Sequence, residues 1–157
     1  DFFSECDIVV FGQDRPKENT HRKFDKIIWM GQIFDEYTLP VLYGCADVVV
    51  VPSRLEAFGL VAAEAQSCGI PVVAFNATGL KDVVEHKITG FLAKPYDAND
   101  LSDGILWVLS NSDRSNSLSA EARKKACAEW SPEVIIPKYM DIYKKVIDKN
   151  NKRNKLL

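Results

Sequence analysis

Glu56 and Glu64 stand eight residues apart in the run Pro52-Ser53-Arg54-Leu55-Glu56-Ala57-Phe58-Gly59-Leu60-Val61-Ala62-Ala63-Glu64, astride a junction where an apolar strand gives way to a helix. An ionised carboxylate only accepts hydrogen bonds, so the natural ligands of both are hydroxyl groups. Between them, Gly59 permits close approach to the backbone. The first turn of the helix beyond it offers unpaired N–H groups at the positive end of the dipole, which suits a phosphate. Hydroxyls on either side of a phosphate describe a sugar, a pyrophosphate and a ribose, the parts of a nucleotide sugar. The helix, about 59–68, carries Leu60, Val61, Ala62, Ala63 and Ala65 around most of its circumference and is expected to be buried. Glu64 then needs a partner, because a buried carboxylate is costly alone. The competing readings are structural: an ion pair of Glu64 with Arg54, and for Glu56 an acid serving only its own helix.

The elements that must position these residues follow a βαβ rhythm. Short apolar runs at Asp7–Phe11, Lys26–Met30, Asp47–Val51, Ile70–Phe75 and Thr89–Ala93 alternate with helical patterns, the sign of a parallel sheet. Val48 to Val51 is an uninterrupted β-branched run that suits a strand buried on both faces. Helices are expected from Asp35 to about Cys45, from Lys81 to Glu85, from Ala98 to Leu109 after capping chemistry at Asp97, and from Trp130-Ser131-Pro132 to about Asp148. Cys68-Gly69 caps the helix that carries Glu64. Ser110 to Ser119, rich in Ser and Asn, reads as a loop, and 149–157 as a basic, frayed tail.

With 157 residues, 20 basic and 22 acidic side chains and a formal charge of −2, the chain suits one well-packed domain, and its charge balance does not point to nucleic acid. Cys6, Cys45, Cys68 and Cys127 are scattered without metal-ligand spacing and read as reduced, buried thiols of a cytoplasmic protein. There is no run of about eighteen apolar residues to cross a membrane. His21 and His86 read as exposed bystanders, and Trp29 and Trp130 as core and helix-docking residues. The abrupt start at Asp1-Phe2-Phe3 gives the expectation of a fragment.

These residues, in this order, make the chain resemble the C-terminal domain of the GT-B glycosyltransferases of family GT4, the group-1 glycosyltransferases. Glu56 and Glu64 match the family's E-x7-E pattern in the form Pro-Ser-x-x-Glu-x-Phe-Gly-Leu. Cys68-Gly69-Ile70-Pro71-Val72-Val73-Ala74 looks like its G-x-P-V-V segment, Thr89-Gly90-Phe91-Leu92 like its T-G-x-L strand, and Leu39 to Asp47 like its L-x-x-x-Y-x-x-A-D helix. The resemblance runs from about Asp7 to Lys145. It implies an α/β fold with a Rossmann-like open parallel sheet and helices on both faces, the C-terminal half of a GT-B enzyme. On this reading residues 1–130 form an N-terminally truncated donor-binding domain, and 131–157 a C-terminal helix and tail.

The resemblance further implies a retaining, metal-independent glycosyltransferase that moves a sugar from a nucleotide diphosphate to a glycan or lipid-linked acceptor, in polysaccharide or glycolipid synthesis. Glu56 is then the catalytic-site residue that binds donor-sugar hydroxyls. The N–H groups of Phe58, Gly59 and Leu60 take the distal phosphate, Glu64 takes the ribose diol, and the loop Gly31-Gln32-Ile33 lies beside the base. No cofactor or metal is implied. The acceptor would bind through an N-terminal domain not among these residues, so the fragment alone is expected to be inactive. The full-length enzyme is expected in the cytoplasm, with peripheral association at the inner face of the membrane open to it. Three features depart from the family pattern. No residue here matches the usual Arg and Lys of an earlier strand and helix, Lys81-Asp82 replaces the commoner Pro-Glu, and the 13–23 loop is less glycine-rich than many. The alternatives are an epimerase or phosphorylase of the same architecture, and a non-catalytic nucleotide-sugar-binding module.

Overall fold

The computed structural model describes residues 6–16 and 27–154. The chain forms two compact units, Asp1–Leu42 and Tyr43–Leu157. In the first, β1 (Ile8–Phe11) pairs in parallel with β2 (Ile27–Gly31). The register runs from Ile8 opposite Ile27 to Val10 opposite Trp29, then shifts so that Phe11 meets Gly31. The shift coincides with positive φ at Gly12 and Gly31, and the Gly12 N–H donates to the Gly31 carbonyl at 2.8 Å.

Helix α1 (Thr38–Gly44) starts three residues later than the acids at 35 and 36 suggest. Asp35 stays outside it. Its Oδ1 accepts from the N–H groups of Tyr37 (3.1 Å) and Thr38 (2.7 Å), so the carboxylate closes the helix entry instead of joining the helix.

The second unit holds β3 (Val49–Val51), β4 (Val72–Phe75) and β5 (Gly90–Ala93), hydrogen-bonded in the order β3-β4-β5, all parallel. With them come α2 (Leu60–Ser67), α3 (Leu80–Val83), α4 (Ala98–Leu109), α5 (Ser112–Trp130) and α6 (Pro132–Asn154). The strand covered on both faces is β4, whose four residues are all buried. Consecutive strand residues point to opposite faces, so both faces of this strand are shielded. The run at 48–51 falls short of that expectation, since Val50 is 36 % exposed. It lies on an outer strand of this three-stranded sheet. Val73 of β4 packs with Val108 of α4 and Leu118 of α5, and Val48, Phe91, Leu101, Ile105 and Trp107 close around them.

The expected loop at 110–119 is instead the start of α5. Asn111 accepts from the Arg114 N–H at 2.7 Å as N-cap, and Leu118, Ala122 and Ala126 are buried at a spacing of four. The Ser119 hydroxyl donates to the Gly69 carbonyl and Arg123 to the Ser67 carbonyl, tying this polar helix to the end of α2. Helix α6 likewise runs beyond Asp148. Cys68 and Gly69 end α2 as expected, with Gly69 at φ +77° and its N–H on the Gln66 carbonyl.

All four cysteines are free, but none is buried: Cys6 and Cys68 are half-buried, Cys45 and Cys127 exposed. No helix among the described residues is long and apolar enough to cross a membrane.

Candidate functional site

The chain leaves β3 through Pro52 and lays residues 56–58 across the turn that follows β4. The Glu56 N–H donates to Thr78 Oγ1 and the Gly79 N–H to the Glu56 carbonyl, both at 3.0 Å. Thr78 holds φ at +48° to make this turn. Gly79 has no room for a side chain, because a Cβ there would lie 2.6 Å from both the Ala57 carbonyl oxygen and the Phe58 Cα. The loop is thereby fixed by its backbone. The half-buried Glu56 carboxylate has no hydrogen-bond or ion-pair partner among the described residues, leaving all its acceptor positions open to a ligand.

Gly59 carries the chain into α2 at φ +103°, a left-handed conformation that favours glycine. A Cβ there would also lie 3.0 Å from the buried Leu80 Cδ2. No side chain caps α2, so its first-turn amides keep their capacity to donate. Phe58 packs edge-on against Trp130, ring centroids 5.7 Å apart, which makes both packing residues of this junction.

Helix α2 is not buried around its circumference. Ala62, Ala63, Ala65 and Gln66 face inward, whereas Leu60 is 66 % exposed and Val61 and Glu64 lie on the same open side. Leucine and valine at 60 and 61 gave the sequence an all-apolar look, but small alanines suffice for the buried face. Glu64 is therefore an exposed acid, and it does not pair with Arg54. The Arg54 guanidinium lies over the Tyr96 ring at 5.3 Å, and the Tyr96 hydroxyl donates to the Arg54 carbonyl at 3.2 Å. Glu64 Oε2 instead accepts from the Tyr43 hydroxyl at 2.9 Å. Burial, and then the adjacent Glu64 carboxylate, hold the Tyr43 phenol above its ordinary range, so it is a neutral donor. One turn beyond Glu64, burial pushes the Cys68 thiol up, and it is no activated nucleophile.

Gly31 is the last residue of β2 in the first unit, and Gln32 and Ile33 follow it directly. Gly31 sits at φ +65°, Gln32 Nε2 donates to the Gly12 carbonyl at 2.6 Å, and Ile33 is half-buried. His86 is not a bystander. Its Nδ1 accepts from the Leu92 N–H at 3.0 Å and its ring lies against Phe91. Burial, then Lys87, hold its pKa below the ordinary value. His21 and most of the 13–23 loop lie outside the described residues. Among the described residues, no three His, Cys, Asp or Glu side chains are grouped to hold a metal ion.

Three residues that no sequence motif links to the acids hold them in place: Tyr43, Thr78 and Gly79. Tyr43 falls within the Leu39 to Asp47 helix motif. Only the fold brings Thr78 to Glu56 and Tyr43 to Glu64, 22 and 21 residues away along the chain.

The chain is 33 % identical over 119 residues to an uncharacterised glycosyltransferase of Methanocaldococcus jannaschii, covering 76 % of this chain and 30 % of that protein. Its fold superimposes on sucrose-phosphate synthase of Thermosynechococcus elongatus with a TM-score of 0.83 at 31 % identity, over 91 % of this chain and 39 % of that one. On Anabaena HepE in complex with UDP-glucose the TM-score is 0.72 at 26 % identity, over 80 % and 35 %. The chain thus spans between 30 % and 39 % of the length of these relatives. Parallel sheets flanked by helices are what the GT-B resemblance implied, and the family profile described as glycosyl transferases group 1 matches residues 3–125. The chain belongs to the group 1 glycosyltransferases.

Proposed function

We propose that this chain is the nucleotide-sugar-binding part of a retaining glycosyltransferase that passes a sugar to a glycan or lipid-linked acceptor. One observation carries the reading. Glu56, its carboxylate without a partner among the described residues, stands just before a left-handed Gly59 at the uncapped start of α2. Donor-sugar hydroxyls fit Glu56, and the distal phosphate fits the N–H groups of Phe58, Gly59 and Leu60. Glu64, one turn on, takes the ribose diol. HepE, described above with UDP-glucose, supports a donor of this class.

Negative charge develops on the leaving phosphate as the glycosidic bond breaks. Fixed backbone donors at a helix start stabilise that charge without reorganising, and no metal is required in this scheme. Holding the acceptor hydroxyl against the anomeric carbon of the donor supplies the remainder. The test is a panel of UDP-, GDP- and ADP-sugars measured for thermal stabilisation of the full-length enzyme. A ligand at one hundred times its Kd adds about 2.7 kcal/mol of stability. One nucleotide class should stabilise the wild type and lose most of that effect in Glu56→Ala. A panel without any shift would defeat the reading.

A further inference from the structure

We propose that Tyr43 is a positioning residue for the nucleotide: its hydroxyl holds one oxygen of Glu64 so that the other is presented to the ribose. The proposal rests on the reading of Glu64 as the ribose ligand. Tyr43 is 2 % exposed, which leaves its ring a single environment, and its hydroxyl donates to Glu64 Oε2 at 2.9 Å. Glu64 is exposed on an open helix face, and a long side chain there would otherwise sample several rotamers. A phenol carries one hydrogen, so it can occupy only one lone pair of Oε2. Oε1 has no partner among the described residues and stays available to a diol. Because burial keeps the phenol protonated, the direction of the bond is fixed. A tyrosine whose only duty was packing would be served as well by phenylalanine.

The experiment pairs protein variants with ligand variants in the full-length enzyme. Affinities for UDP, GDP and ADP, each beside its 2′-deoxy counterpart, are measured by calorimetry for wild type, Tyr43→Phe and Glu64→Gln. The quantity read is the preference for the ribonucleotide. Both affinities come from the same preparation, so any loss of folded protein cancels from the ratio. Tyr43→Phe should cut that preference about three- to tenfold, the range for one hydrogen bond, while the deoxynucleotide affinity hardly moves. If Glu64→Gln abolishes the preference and Tyr43→Phe leaves it intact, Tyr43 does not position Glu64 and the donor reading stands. If Glu64→Gln also leaves it intact, the ribose role of Glu64 fails and the proposal fails with it.

Discussion

Glu64 and Gly59 respond to substitution in opposite ways, because one is exposed chemistry and the other is buried geometry. Replacing Glu64 by Gln keeps an oxygen that can accept from Tyr43 but removes the charge. Nucleotide affinity in the full-length enzyme should fall by about 1.5–3 kcal/mol, roughly ten- to a hundredfold in Kd. Unfolding in urea should barely change, since the carboxylate is exposed and has no ion pair among the described residues. A large stability loss at unchanged affinity would count against the ribose role. Gly59→Ala combines a left-handed backbone with a Cβ 3.0 Å from Leu80 Cδ2. Conformational strain of about 1–2 kcal/mol and overpacking of about 1–3 kcal/mol should lower stability measurably. Gly44→Ala has open space around its Cβ and serves as the control, with an unfolding midpoint close to wild type.

At the scale of elements, α5 tests whether a polar stretch is held by its packing. Leu118 is buried against Val73 and Val108, so Leu118→Ala should cost about 2–5 kcal/mol in equilibrium unfolding. Asn111→Ala removes the N-cap and should cost about 0.5–2 kcal/mol. The turn between α3 and β5 gives a pH dependence. His86 accepts from Leu92 through Nδ1, and its folded pKa lies below the ordinary 6.5. The unfolded chain therefore takes up the proton first. The stabilisation is complete above 6.5 and is lost as pH falls through 6.5 towards the folded value. His86→Asn keeps an acceptor without titrating, so its urea midpoint should fall less than that of wild type between about pH 7 and pH 5. An equal fall in both would assign the pH dependence to other groups.

For the whole molecule, the relatives named above are much longer than this chain, which covers 30 % of one and 39 % of another. The proposed function puts the acceptor site outside these residues. A protein of these 157 residues alone should therefore show no sugar transfer above its Glu56→Ala control, measured by release of nucleotide diphosphate with acceptor present. Turnover above that control would place acceptor-binding groups within this span.

Parallel strands, the start of the helix after Gly59 and the pairing of two acids around it were legible in the sequence, because each rests on local rules. β-branched runs make strands, glycine allows positive φ, and Asp97 caps the helix it precedes. Other features depended on residues far apart in the chain. Whether α2 was buried all round could not be read from its apolar residues, since its small alanines took the inward face and left Leu60, Val61 and Glu64 outside. A Ser- and Asn-rich stretch became helix because three positions spaced by four met the sheet and α2. The partner of Glu64 turned out to be Tyr43 and not Arg54, because hydrogen bonds across twenty residues are selected by packing, on which local sequence pattern is silent.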